Sequence, residues 1–198
     1  MPGSTRVADA RPTAGEVARR LADALEGHEL KYAVGGALAL AYYAPPRATI
    51  DVDINVFVSP WKDLDSALAV LRSVGFEPDE PREAVVRRAI GEGQFRGVVD
   101  GLRVDVFVPA IEFYAELESR RREVMLLGKP LWILGPEDTC VLKMMFFRRK
   151  DLADVEAVVR DQRELLDRAF VRSKLVGLVG EDDPRVGAWD EIVRDVLG

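Results

Sequence analysis

Cysteine and histidine are almost missing from this 198-residue chain, each occurring once, as Cys140 and His28. A single cysteine cannot close an internal disulfide, which fits a reducing, cytoplasmic compartment. One residue of each kind cannot build a His/Cys zinc site either. Cys140 sits in the apolar run Cys140-Val141-Leu142 and reads as a buried small hydrophobe. His28 follows Gly27 at an expected helix end, where an imidazole can meet free carbonyls. Long apolar runs are missing too, so no membrane association is expected. Residues Met1 to Thr13, rich in Pro, Gly, Ala and Arg, lack the apolar centre of a targeting signal and read as a frayed leader. There is no positive excess: 28 Lys and Arg face 34 Asp and Glu, a net charge of -6. That argues against a general nucleic-acid coat. Any bound metal must be held by carboxylates, which favours a hard ion such as Mg²⁺ or Mn²⁺.

What is present is an ordinary globular balance, 48% hydrophobic and 31% charged residues. The length suits one domain, or a domain with a small helical appendage. Val17, Leu21 and Leu25 recur every four residues from Thr13, a candidate N-cap, to the stop at Gly27. Lys31 to Val34 predicts a short strand, Gly35-Gly36 a break, and Ala37 to Tyr43 a helix ending before Pro45-Pro46. From Arg47 to Val58, Ile50, Val52, Ile54 and Val56 alternate with Thr49, Asp51, Asp53 and Asn55, the pattern of a two-faced strand. Ser59-Pro60 then opens a helix over Trp61 to Val74, with Leu64, Leu68 and Leu71 on its apolar side.

A shorter helix over Pro81 to Ile90 and a hairpin over Gln94 to Pro109 follow, the latter turning at Asp100-Gly101. In its second arm Leu102, Val104, Val106 and Val108 face one way, Arg103 and Asp105 the other. A helix over Ile111 to Arg122 and a last strand at Leu131 to Leu134 complete this half. After that every segment reads as helix: Pro136 to Lys150, Leu152 to Gln162, Leu165 to Val179 and Pro184 to Leu197. The expectation is a small mixed α/β core over 14–135 and a helical region over 136–198. Two basic clusters, Arg120-Arg121-Arg122 and Arg148-Arg149-Lys150, read more readily as solvated helix ends than as binding patches.

The chemistry-bearing residues are three carboxylates on predicted strands. Asp51 and Asp53, two apart, project to the same side. In a dry site they repel one another unless a divalent cation lies between them. Asp105 from a neighbouring strand would complete a two-metal clamp for phosphoryl transfer. The plain alternative is an edge strand whose aspartates are merely solvated. Gly35-Gly36 shifts the balance, because glycines between a strand and a helix let backbone N–H groups approach phosphate oxygens.

In this order of motifs the chain resembles the nucleotidyltransferase superfamily related to DNA polymerase β. The carrying residues are Val34-Gly35-Gly36 and Asp51-Val52-Asp53-Ile54, with a spacer of fourteen that is slightly long for the wider superfamily. Within it the chain looks most similar to the AbiEii-type nucleotidyltransferases of abortive-infection and toxin–antitoxin systems. Those share the segment Gly35-Gly36-Ala37-Leu38, the stretch Arg47 to Asp53, a helical Lys143, and Lys150-Asp151-Leu152-Ala153-Asp154. The similarity covers about Tyr32 to Val159 and leaves 163–198 unmatched.

The resemblance implies transfer of a nucleoside monophosphate from an NTP such as ATP. The metals would lie on Asp51, Asp53 and Asp105, and the nucleotide near Gly35, Gly36, Arg47, Thr49 and Lys143. Lys150, Asp151 and Asp154 would aid catalysis or position the acceptor. That acceptor would be tRNA, a small antibiotic-like molecule or a protein, and an antitoxin would be the partner. A catalytically silent binding protein of the same fold is the rival of another class. Lys143 is otherwise a surface lysine whose loss leaves stability alone, and Asp151 an N-cap of the following helix.

Overall fold

The computed structural model describes residues 11–198. The leader reading for the first ten residues therefore lies outside the described residues. Thr13 caps α1 (Ala14–Gly27) through a reciprocal pair: its hydroxyl accepts from the Glu16 N–H, and the Glu16 carboxylate accepts from the Thr13 N–H at 2.7 Å. At the other end the backbone N–H of His28, not its imidazole, closes the helix.

Alternation of apolar and polar residues builds one sheet in the order β3-β4-β5-β2-β1-β7-β6. Its strands are β1 (Tyr32–Val34), β2 (Asp51–Val56), β3 (Glu77–Pro78), β4 (Gln94–Val99), β5 (Leu102–Phe107), β6 (Arg122–Leu126) and β7 (Lys129–Ile133). The sheet is mixed: β2 runs parallel to β5 and β1 to β7, and the other neighbours are antiparallel. Between them lie α2 (Gly36–Leu40), α3 (Leu64–Ser73), α4 (Arg82–Gly91) and α5 (Glu112–Arg120). Then come α6 (Pro136–Phe146), α7 (Arg149–Gln162), α8 (Arg168–Val179) and α9 (Pro184–Leu197).

Period two decides which face each strand residue serves. Val52, Ile54 and Val56, with Val104 and Val106, pack in one apolar cluster against α1, α3 and α4. The opposite face carries Ala33, which joins Leu40, Leu134 and the apolar sides of α5 to α9 in a second cluster. Asp51, Asp53 and Asn55 alternate with the buried valines and isoleucine of β2 and so point to this second side. No helix of the described residues is long and apolar enough to cross a membrane. Cys140 is fully buried, as expected of a small hydrophobe.

The structure corrects several boundaries. The expected strand over Arg47 to Val58 is paired only from Asp51, where Arg103 first lies opposite it; Ile50 is 84% exposed and belongs to the approach. The helix expected from Trp61 starts at Leu64, because Ser59 accepts the N–H groups of Lys62 and Asp63 in a preceding turn. Strand β6 was not foreseen, and Arg122 belongs to it rather than to the preceding helix. Its hairpin with β7 turns at Leu127-Gly128, both in the left-handed region, a turn the sequence Leu-Gly marks weakly. The helix expected to run to Lys150 ends at Phe146, where Phe147 takes φ 54°. Lys150 and Asp151 therefore stand in the first turn of α7.

The basic clusters also differ from expectation. Arg120 and Arg121 are half-buried. Arg120 donates to the buried Asp138 carboxylate at 2.6 Å, and Arg121 lies 4.4 Å over the Trp132 ring. These are packing contacts, not a solvated helix end. The second cluster, Arg148 to Lys150, is exposed, and two of its members border the cavity described next.

Candidate active site

The sheet face bearing Asp51, Asp53 and Asn55 does not close against α6 and α7. Between them lies a cavity of about 760 Å³, counted with its open mouth. Its walls bring together Gly35, Gly36, Arg47, Asp51, Asp53, Asp105, Lys143, Lys150 and Asp151. Two of the sequence candidates act on it from behind. Thr49 donates its hydroxyl to the Asp51 carboxylate, and Asp154 holds Arg47 and Lys143.

Parallel pairing sets the carboxylate geometry. Asp53 lies directly across from Asp105, and Asp51 across from Arg103. The antiparallel hairpin then places Arg96 opposite Asp105. Arg103 reaches Asp51 Oδ2 with Nη2 at 2.5 Å and Asp105 Oδ2 with Nε at 3.3 Å, and Arg96 donates to the other oxygen of Asp105. The Asp53 carboxylate makes no hydrogen bond or ion pair among the described residues. Burial, then the like charges of Asp51 and Asp105, push its carboxyl up to about 6, although Lys143 and Arg103 pull the other way. Asp51 goes in the opposite direction: burial opposes its ionisation, but the Thr49 hydroxyl and Arg103 hold it below the ordinary carboxylate range.

The glycine turn is shaped by the same aspartate. Gly35 donates its N–H to the Asp53 carbonyl at 2.8 Å. Gly36 has φ 54°, and a Cβ there would fall 1.7 Å from Asp53 Oδ2. Any side chain would therefore meet both a strained backbone and the carboxylate. Gly35-Gly36 and Asp53 form one unit, which explains why strand, glycines and Asp-x-Asp carry information together that none carries alone.

Across the cavity the charges alternate. Arg47 grips Asp154 with two bonds of 3.1 Å; Lys143 Nζ lies 2.5 Å from Asp154 and 3.8 Å from Asp151; Arg148 reaches Asp151 at 2.6 Å. Burial alone would raise Asp154, but Arg47 and Lys143 hold it low. Lys143 is buried, so the reading of a surface lysine does not hold, and its loss cannot leave stability untouched. Asp151 is not the N-cap of α7. Arg148 occupies that position, and the Asp151 carboxylate accepts the Arg148 N–H at 3.2 Å from three residues along.

Sequence reasoning passed over several wall residues. Arg103 shares the polar side of β5 with Asp105 by simple alternation. Arg96 follows from the Asp100-Gly101 turn, which fixes the hairpin register. Phe107, Tyr114 and Phe146, from β5, α5 and α6, form an aromatic wall with ring centroids 6.4 Å apart. No local pattern could have shown that these three meet. Burial first, then the Asp53 charge, raise the Tyr114 hydroxyl to about 12.

The mixed sheet covered by helices is that of the nucleotidyltransferase fold, as its likeness to solved structures shows. The antibiotic-resistance factor ANT(2'')-Ia in solution matches it with TM-score 0.58 at 15% identity, over 83% of this chain and 94% of that one. ANT(2'')-Ia in complex with adenylyl-2''-tobramycin matches with TM-score 0.56 at 12% identity, over 87% and 94%. An antigenic nucleotidyltransferase-like protein from Paracoccidioides brasiliensis matches with TM-score 0.52 at 19% identity, over 88% and 92%. No family profile matches the sequence, and no curated protein matches it closely.

Proposed function

We propose that the protein is a metal-dependent nucleotidyltransferase that moves a nucleoside monophosphate from an NTP to an acceptor. One observation carries the reading: the Asp53 carboxylate, with no ion-pair partner among the described residues, stands against Gly36, beside Asp51 and across from Asp105, on the wall of the cavity that gathers most of the sequence candidates. The donor set fits a hard divalent ion, Mg²⁺ or Mn²⁺, since it offers only carboxylate oxygens, and the Arg103 guanidinium already stands among them as a substitute positive charge. Asp51, Asp53 and Asp105 would hold the ion. When bound, it supplies positive charge for the phosphates and polarises them.

The chain's own residues do the rest. The glycine turn admits phosphate oxygens to the backbone without a side chain in the way. Lys150 and Arg148 add positive charge at the mouth, and the buried Lys143–Asp154 pair fixes Arg47 beside the cavity. The acceptor oxygen bonds to the α-phosphorus as the bond to pyrophosphate breaks, and the acceptor's proton leaves to solvent through the open mouth of the cavity.

The acceptor we favour is a single-stranded RNA end, in keeping with the AbiEii resemblance and its tRNA-directed toxins. Phe146, Arg148 and Lys150 line the cavity and are exposed, Phe147 and Arg149 beside them in the chain are exposed too, and Arg148 lies 5.0 Å over the Phe146 ring. Aromatic rings interleaved with basic groups suit stacked bases and phosphates. A small hydroxylated acceptor is the second reading, favoured by the near full-length likeness to ANT(2'')-Ia. A cytoplasmic setting and an antitoxin partner go with the first reading. Incubation with each α-labelled NTP, Mg²⁺, and separate pools of tRNA and aminoglycosides tests both. Label in RNA supports the first, label in the small acceptor supports the second, and no label in either counts against the enzyme.

A further inference from the structure

We infer that Arg103 is a displaceable counter-ion: it bridges the carboxylates when no divalent ion is bound, and turns to the nucleotide's phosphates when one enters. This rests on the metal-dependent reading above. The guanidinium spans two strands, with Nη2 2.5 Å from Asp51 Oδ2 and Nε 3.3 Å from Asp105 Oδ2. Asp53, two residues along β2 from Asp51 and directly across from Asp105, has no ion-pair partner among the described residues. The bridge joins the carboxylates of Asp51 and Asp105 and leaves that of Asp53 bare. Accordingly, no three acidic, histidine or cysteine side chains among the described residues are gathered closely enough to hold an ion as they stand.

Three features make the bridge exchangeable. The Arg103 side chain is 47% exposed, so it can turn without disturbing the apolar cluster behind β5. Half-exposed ion pairs are weak and readily exchanged. Asp105 keeps a second partner, Arg96, so releasing Arg103 does not strand it. A divalent ion brings twice the charge and can reach Asp53, which Arg103 leaves unpaired. Once released, the guanidinium still lines the cavity, and its planar fork matches two phosphate oxygens.

The test uses the full chain, Mn²⁺ alone, and then a non-hydrolysable ATP analogue with Mn²⁺. Mn²⁺ binding is followed by electron paramagnetic resonance and nucleotide binding by calorimetry. Arg103→Ala should bind Mn²⁺ about fivefold or more tightly than wild type, because a competing positive charge has gone. The same variant should bind the analogue with Mn²⁺ about tenfold more weakly, because a phosphate partner has gone. Arg103→Lys should fall between the two in both measurements. Circular dichroism confirms folding; should the alanine variant unfold, Arg103→Gln keeps the packing stem and is read instead. Unchanged or weaker Mn²⁺ binding in the charge-free variant overturns the counter-ion role, and unchanged analogue binding overturns the transfer to phosphate. If wild type and Asp53→Asn bind Mn²⁺ equally, or neither binds it, the metal reading itself falls and takes this inference with it.

Discussion

Two charged regions face each other across the cavity, built from the same residue types and opposite in character. On the β2–β5 face, three aspartates share two arginines, each about half exposed, and the central carboxylate has neither. On the α6–α7 side, Arg47, Asp154, Lys143, Asp151 and Arg148 alternate in sign, and each carboxylate meets two cations. Its central members, Lys143, Asp151 and Asp154, are buried. The second region is complete in itself and holds two helices and the Arg47 segment in place. The first leaves the Asp53 carboxylate without an ion-pair partner among the described residues, and in the proposed reading a cation from outside completes it. A residue's type and motif position therefore say less about its task than whether its neighbours already satisfy it.

The largest effect that would break this contrast concerns Lys143. Removing one member of a buried ion pair leaves a charge uncompensated. Lys143→Ala should cost about 3 kcal/mol of stability, because Arg47 still serves Asp154. That is roughly 6–12 °C in Tm. A Lys143→Ala protein that melts like wild type would show that this side is not a scaffold.

A slightly smaller effect separates the two regions by pH. Asp53 titrates near 6 in the folded apo protein, above its unfolded value, so its ionised form is the unfavourable one in the fold. Below about pH 4 it is protonated in both states and costs nothing. As pH rises towards 6, apo stability should fall, by on the order of 2–3 kcal/mol in all. Asp154 is held low, so its contribution has the opposite sign: present above the ordinary carboxylate range, lost as pH falls below it. Thermal melts between pH 4 and 7 should show the decline in wild type and a flatter line in Asp53→Asn. A decline of equal size in both variants would assign it elsewhere.

The smallest effect sharpens the picture at α7. Asp151→Ala removes a buried carboxylate that accepts the N–H of the N-cap residue Arg148 and should lower stability by about 1.5–2 kcal/mol, read by urea unfolding. If transfer activity is lost instead while stability holds, Asp151 belongs with the chemical face.

Much of this was legible in the chain. The alternation Val52, Ile54, Val56 against Asp51, Asp53 fixed which side of β2 is polar, because a period of two leaves no choice once one face is buried. The Asp100-Gly101 turn carried the hairpin, and Thr13 with Glu16 the start of α1. The assembly of the wall was not legible. Arg103 was visible on the right side of its strand, but its bridge to Asp51 depends on the parallel register of two strands that are distant in sequence. The aromatic wall draws on three separate elements. Phe147 in the left-handed region ends α6 without glycine, so the restart of the chain at Arg149 has no local signal, and the sequence does not distinguish Asp151 as a cap from Asp151 as the cap's reciprocal partner.

If the unfinished acidic face performs metal-dependent nucleotidyl transfer as proposed, pyrophosphate release follows the step itself. Wild type, Asp53→Asn and Lys143→Ala would each be supplied with the four NTPs, Mg²⁺ and the tRNA pool, at a temperature where all three remain folded. Wild type should release pyrophosphate with one NTP in preference, and a chelator should stop it. Asp53→Asn should lose at least about 10²–10³-fold in rate, the scale on which removing one electrostatic stabiliser of a transition state is felt, while melting at or above the wild-type temperature. Pyrophosphate release by Asp53→Asn at the wild-type rate would remove the acidic face from the chemistry.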